Sequence, residues 1–157
     1  VTVLHVRMDA EAELLHVELQ RLVLIPHIKK LELEEKVVFT GPLDEQKMCQ
    51  KFLNSHVFVS PSTIENESNS LSEAKILGVP SIASYVGGVI DRVNHNIDGF
   101  HYQHDAPYML AQFVCEIFEN EDLALKFSKN AREHALKTHD RDENTRRLIE
   151  IYGEVTS

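Results

Sequence analysis

The chain has 157 residues, enough for one domain with a buried core, and its 43% hydrophobic and 26% charged residues are ordinary for a globular protein. Its 25 acidic residues against 16 Lys and Arg give a formal net charge of -9, which repels polyanions and argues against general nucleic-acid binding. One small phosphate ligand remains compatible with that charge, because amides at a helix start bind phosphate without net positive charge.

The elements alternate short β-branched runs with helical stretches, the pattern of an α/β, doubly wound parallel sheet covered by helices. VTVLHV at 1–6 reads as the first strand. A helical region follows, with Leu15, Leu19 and Leu22 on one face and an interruption near Pro26. KVVFTG at 36–41 reads as a second strand ending at a Gly-Pro turn, and Asp44 is placed to cap a helix running to about Asn54. HVFVS at 56–60 is the third strand, closed by Pro61.

The polar loop STIENESNS then enters a helix expected from about Ser70 to Leu77, stopped by Gly78 and kept from restarting by Pro80. PSIAS at 80–84 is the fourth strand, followed by a turn at Gly87-Gly88, whose glycines fit a backbone requirement for positive φ. A short helix and an Asp98-Gly99 turn lead to FHYQ at 100–103, and the remainder is helical, with Leu148, Ile151, Tyr152 and Val155 in helical spacing to the end. Cys49 and Cys115 fall in amphipathic stretches and read as ordinary helix residues. No apolar run approaches the ~20 residues of a membrane span and no signal peptide opens the chain, so a cytoplasmic location is expected.

In doubly wound sheets ligands bind at the carboxyl ends of the strands, which directs attention to the loop between Ser60 and Ser70. Glu65 and Glu73 form an E-x7-E pair across this strand-loop-helix junction. Spacing alone proves little, since 17 glutamates give about two such pairs by chance. Context adds more. Amides near Ser68, Asn69, Ser70 and Leu71 are the donors of a helix N-terminus, where a pyrophosphate meets unpaired N–H groups and the positive end of the dipole. A carboxylate on either side accepts hydrogen bonds from sugar hydroxyls. The structural alternative is a capping box, Ser70-x-x-Glu73, with Glu65 a solvated loop carboxylate.

The longer stretch SPSTIENESNSLSEAKILGVPSIASYVGGVIDRVNHNIDGF carries the frame PS-x-x-E-x7-EA-x3-G-x-P, then A-S-x-x-GG, an acidic residue and a DG turn. With the preceding VVFTGPL segment, it resembles the C-terminal domain of the family-four retaining glycosyltransferases (glycosyl transferases group 1). The resemblance covers nearly the whole chain and implies the C-terminal, donor-binding half of a GT-B architecture. It implies that residues 1–157 form a nucleotide-sugar-binding domain lacking its first strand and helix, with the N-terminal acceptor domain outside this chain. Glu65 would meet the transferred sugar as the catalytic-site acid. Glu73 would take the ribose hydroxyls, the amides around Ser68, Asn69, Ser70 and Leu71 the phosphates, and Thr40 and Gly41 would lie near the base.

An Arg and a Lys that stabilise the leaving diphosphate would precede Val1, and no metal or other cofactor is implied beyond the nucleotide-sugar substrate. The implied activity is retaining transfer of a hexosyl-type sugar to a glycan or lipid in polysaccharide assembly. The full-length protein would make at most peripheral membrane contact, and this fragment alone would be inactive. Two departures stand out: Glu67-Ser68 occupies the place of a frequent Phe-Gly, and Arg7-Met8-Asp9 lacks the glycine turn often found after the first strand. A cluster of His95, His101 and His104 lacks the partners of a zinc site. Two other functions compete. A non-catalytic nucleotide-sugar-binding subunit acting with a separate chain is one. A phosphoacceptor signalling domain is the other, set aside because the third strand ends Val59-Ser60-Pro61 without an Asp.

Overall fold

The computed structural model describes residues 23–156, and the expected strand at 1–6 lies outside them. Helix α1 covers residues 23–30 and runs through Pro26, where the sequence pattern suggested an interruption. Residues 36–41 do not form the expected second strand: Lys36 lies in a turn, Gly41 has a φ of +63, and the stretch pairs with no ladder among the described residues. A β-branched run becomes a strand only beside a neighbour in register, and here Val38 and Phe39 stay 51% and 39% exposed.

Helix α2, Glu45–Leu53, starts as expected, with Asp44 Oδ1 accepting the Lys47 amide at 2.8 Å. Three parallel strands follow: β1 Phe58–Ser60, β2 Ser81–Ser84 and β3 Gly99–Tyr102, in the order β1-β2-β3. Phe58 sits opposite Ser81 and Ser81 opposite Gly99, so β2 and β3 end together at Ser84 and Tyr102, with β1 ending at Ser60 opposite Ala83. Helix α3, Asn69–Ile76, crosses from β1 to β2, and a 3-10 helix, Gly87–Arg92, crosses from β2 to β3. The chain finishes with α4 Pro107–Glu119, α5 Glu121–Thr138 and α6 Arg141–Thr156.

Period-2 alternation divides the sheet between two cores. On one face Phe58 and Ala83 pack with Met48 and Phe52 of α2, Leu71 and Ala74 of α3, and Val89 of the 3-10 helix. On the other, Val57, Ile82 and Phe100 pack with Ile117 of α4 and Phe127 of α5. Phe100 stacks on Phe113 at 4.3 Å between centroids and meets Phe127 edge-on at 4.9 Å. Burying a side chain such as Phe127 completely stabilises the fold by about 2–3 kcal/mol. Helices on both faces of a parallel sheet make this a doubly wound α/β domain.

Gly78 ends α3 as expected, with φ +75 and the paired bonds Gly78 N–H to Lys75 O at 3.0 Å and Val79 N–H to Ala74 O at 2.9 Å. Helix α6 buries no residue, and Leu148, Ile151, Tyr152 and Val155 are exposed along it. Cys49 and Cys115 are free thiols, half-buried and exposed respectively. None of the described helices is long and apolar enough to cross a membrane.

Candidate functional site

The site is assembled at the carboxyl ends of the strands, where the loop from Pro61 to Ser68 leaves β1. Ser84 at the end of β2 donates from Oγ to the Ser62 carbonyl at 2.5 Å, fastening the loop to the sheet. Within the loop, Ser62 Oγ donates to Glu65 Oε2 at 3.4 Å, a long bond that leaves the half-buried Glu65 carboxylate facing partly to solvent.

The two glycines after β2 support the same loop from the side. A methyl group on Gly87 would stand 1.8 Å from the Glu65 carbonyl oxygen, and one on Gly88 would stand 2.1 Å from that of Asn66. Gly87 has a positive φ of +48, whereas Gly88 is required by close approach alone. These glycines open the 3-10 helix, and its last residue, Arg92, pairs its guanidinium with Glu67. The loop therefore lies against the 84–92 segment along most of its length.

The start of α3 differs from the expected one. Its N-cap is Ser68, two residues earlier than Ser70, with Ser68 Oγ accepting the Leu71 amide at 3.3 Å. The third helical residue, the capping-box position, is thus Leu71, and Ser70-x-x-Glu73 is not in capping-box register. Several serines and asparagines in this loop suit an N-cap equally well by type; the tertiary ties at Ser62 and Gly87 decide between them. The Leu71 amide is occupied by the cap, while those of Asn69 and Ser70, in the first turn, have no acceptor within the helix. Asn69 is exposed and Ser70 and Glu73 are half-buried, so this end of α3 is accessible to a ligand.

Thr40 and Gly41 sit in the irregular segment ahead of α2, with Thr40 Oγ1 donating to the Gly41 carbonyl at 3.2 Å. Gly41 has a φ of +63 and open space around its Cα. Glu65 is bonded by Ser62 within the loop, Glu67 by Arg92 of the 84–92 segment, and Ser68 by the Leu71 amide of α3.

Beneath the site lies a charged cluster that sequence reading missed. Lys75 of α3 and Asp98 before β3 pair at 3.3 Å with side chains only 3% and 2% exposed, so neither charge is relieved by water. Asp98 also accepts the Asn94 amide at 2.8 Å and its side-chain amide at 3.0 Å, and lies 2.5 Å from His134 Nδ1. Burial pushes the Asp98 carboxyl upward, but the Asn94 amide, Lys75 and His134 outweigh it and hold the group below the usual carboxylate range. Burial drives the Lys75 ammonium below the ordinary lysine value, with Asp98 opposing. Lys75 Nζ additionally donates to the Arg92 carbonyl, linking the cluster to the residue that holds Glu67. The signal in the sequence was faint: Asp98-Gly99 read as a turn, and its partners stand 23 and 36 positions away in the chain.

The histidine cluster has a structural role. His101 is buried, with Nε2 2.9 Å from the Val93 carbonyl, and its amide donates to His95 Nδ1 at 3.0 Å. His95 lies against Phe100 and Phe113, and burial, aided by His101, lowers its pKa. His104 is exposed. Among the described residues no three His, Cys, Asp or Glu side chains are grouped to hold a metal. The chain's single Asp-x-Asp sequence, Asp140-Arg141-Asp142, opens α6, where Asp140 Oδ1 accepts the Glu143 amide at 2.9 Å.

Comparison with known proteins adds to this geometry. A GDP-mannose-dependent alpha-mannosyltransferase of Corynebacterium glutamicum is 32% identical over 75 residues, 47% of this chain and 18% of that protein. An N,N'-diacetylbacillosaminyl-diphospho-undecaprenol alpha-1,3-N-acetylgalactosaminyltransferase of Campylobacter jejuni is 28% identical over 102 residues, 65% of this chain and 27% of that protein. The chain thus spans well under a third of these relatives. Among solved structures, Anabaena HepE in complex with UDP superposes with a TM-score of 0.83 at 23% identity, over 98% of this chain and 41% of that one. Sucrose-phosphate synthase from Thermosynechococcus elongatus superposes with a TM-score of 0.78 at 24% identity, over 89% of this chain and 35% of that one. These likenesses give the fold, a Rossmann-like half of the two-domain GT-B architecture. Since the glycosyl transferases group 1 family matches residues 19–134, three-quarters of the sequence, the chain belongs to that family.

Proposed function

We propose that this chain is the donor-binding half of a retaining glycosyltransferase that moves a hexosyl-type sugar from a nucleoside diphosphate to a glycan or lipid acceptor. The acceptor domain, and the basic pair that faces the leaving diphosphate, then belong to polypeptide outside residues 1–157, and the chain alone is inactive. The observation that carries this reading is the loop from Ser62 to Ser68, secured by Ser84, Gly87 and Gly88 beside the accessible amides of Asn69 and Ser70. Such a loop sets a carboxylate and a phosphate-binding helix end side by side with little reorganisation needed at the moment of reaction.

In this proposal Glu65 accepts hydrogen bonds from the transferred sugar and Glu73 from the ribose. The helix start at Ser68, Asn69, Ser70 and Leu71 receives the diphosphate, and Thr40 and Gly41 border the base. As the bond from the anomeric carbon to the diphosphate breaks, negative charge grows on the departing oxygen. The helix dipole and the cations outside this chain stabilise that charge without a bound metal. The crystallised relative that holds UDP supports a nucleoside diphosphate as the leaving group. A cytoplasmic enzyme of polysaccharide assembly, with at most peripheral membrane contact, is the setting we propose.

The test is titration of a panel of nucleotide sugars into the complete polypeptide, wild type and Glu73→Gln. The cap of α3 is Ser68, so Glu73→Gln leaves the bond from the Leu71 amide to Ser68 Oγ in place. Donor affinity should fall about tenfold, the equivalent of one charged hydrogen bond. Unchanged affinity for every donor that binds the wild type would remove Glu73 from the site.

A further inference from the structure

Glu67 creates a difficulty for an anion site. It immediately precedes the N-cap Ser68, at the positive end of α3, where its carboxylate opposes a diphosphate approaching the amides of Asn69 and Ser70. The chain carries a formal charge of -9, so the surroundings do little to offset it. One guanidinium is brought to this carboxylate: Arg92, from the end of the 3-10 helix, pairs with Glu67 Oε1.

The position of Arg92 is set from two sides. Its side chain is only 26% exposed, against 51% for Glu67, so the cation is the more fixed member of the pair. Its backbone carbonyl accepts from Lys75 Nζ, which is itself held by Asp98 at 3.3 Å and His134 at 3.0 Å. Lys75 is directed into this cluster, which leaves Arg92 as the cation seen to contact the loop among the described residues.

We propose that Arg92 is a positioning and charge-compensating residue for donor binding: by neutralising Glu67 it keeps the start of α3 receptive to a nucleoside diphosphate. The inference rests on the donor-site reading above. Arg92 acts through Glu67. Removing the cation exposes an uncompensated carboxylate beside the phosphates; removing both charges restores an electrically neutral approach.

The experiment uses the complete polypeptide with UDP, GDP, ADP and dTDP, titrated calorimetrically at about 20 mM and about 500 mM salt. Arg92→Met should weaken binding of whichever diphosphate the wild type takes by roughly tenfold at low salt, and by much less at high salt, where the Debye length shrinks to a few ångströms. Glu67→Gln in the Arg92→Met background should return affinity to within about threefold of wild type, and Glu67→Gln alone should match or exceed it. Restored affinity in the double variant also shows that the site has folded. If Arg92→Met binds as wild type, the inference fails while the donor site stands. If the double variant stays as weak as Arg92→Met, Arg92 acts by direct contact or by structure, and compensation is refuted. A loss that does not shrink with salt also refutes it. Wild-type protein that binds none of the four diphosphates overturns the donor-site reading and the inference together.

Discussion

Replacing Asp98 by Asn tests whether the charged cluster under the site holds α3 in place. The substitution keeps shape and one carbonyl oxygen for the Asn94 amide, now 2.8 Å away. It turns the other oxygen into an NH2 that faces the Lys75 ammonium, the Asn94 side-chain amide and His134. Donor then meets donor, and an ammonium whose side chain is 3% exposed loses its counter-ion. Breaking a buried pair by removing one partner costs about 3–5 kcal/mol, which in a domain of this size lowers Tm by roughly 10 °C or more. Adding Lys75→Met should recover much of that loss, because no charge is then left buried.

The acid limb provides a second readout on the same variant. Asp98 titrates in the folded protein below its ordinary value of 3.8, so its contribution is complete above the unfolded pKa and is lost as pH falls through the folded one. Wild-type stability should therefore drop below about pH 4 more steeply than that of Asp98→Asn. Chemical denaturation across pH 2–8 measures both quantities. A loss below about 1 kcal/mol at pH 7, with parallel acid limbs, would mean that the cluster does not stabilise the fold by ion pairing.

Three further outcomes are expected. Gly88→Ala places a methyl where the Asn66 carbonyl oxygen lies 2.1 Å away, so the loop must shift; stability should fall by about 1–3 kcal/mol with weakened donor binding, and a silent substitution in both assays would contradict the close approach. Ser68→Ala removes the acceptor for the Leu71 amide and should cost about 1 kcal/mol in denaturant unfolding, whereas Ser70→Ala should cost clearly less if Ser68 is the cap. Because the proposed chemistry relies on a helix dipole and protein cations, EDTA should leave the initial transfer rate of the complete polypeptide nearly unchanged; inhibition reversed by magnesium or manganese would count against it.

Elements punctuated by local chemistry were legible in the sequence. Asp44 announced α2 and Gly78 ended α3, because a cap bond and a positive φ depend on residues within a turn of each other. Residues 56–60, 80–84 and 100–103 were recognisable as strands and observed within a residue or two of those bounds. Residues 36–41 carry the same apolar signature but pair with no strand among the described residues, a requirement that composition cannot express. The shift of the α3 cap from Ser70 to Ser68 has a similar origin. A loop of serines and asparagines offers several equivalent caps, and contacts made some 20 residues later select one. The Lys75–Asp98–His134 cluster had no local signature, since three elements distant in sequence must converge before it exists. Glu65 and Glu73 were singled out by their frame, and the cation that tempers the neighbouring Glu67 emerged only from the fold.

The passage of Gly87 and Gly88 beneath the Glu65–Asn66 carbonyls has a practical consequence for exchanging parts between relatives. The shape of residues 61–68 is encoded as much by residues 84–92 as by their own sequence, since a serine hydroxyl, two absent side chains and one guanidinium from that later segment form its mould. A loop transplanted alone from a relative would arrive without its mould, and any side chain at 87 or 88 would displace it by about an ångström. The transferable module is the pair of segments, moved together with the α3 start between them. Swaps that respect this unit should keep the loop's geometry while changing the side chains it presents.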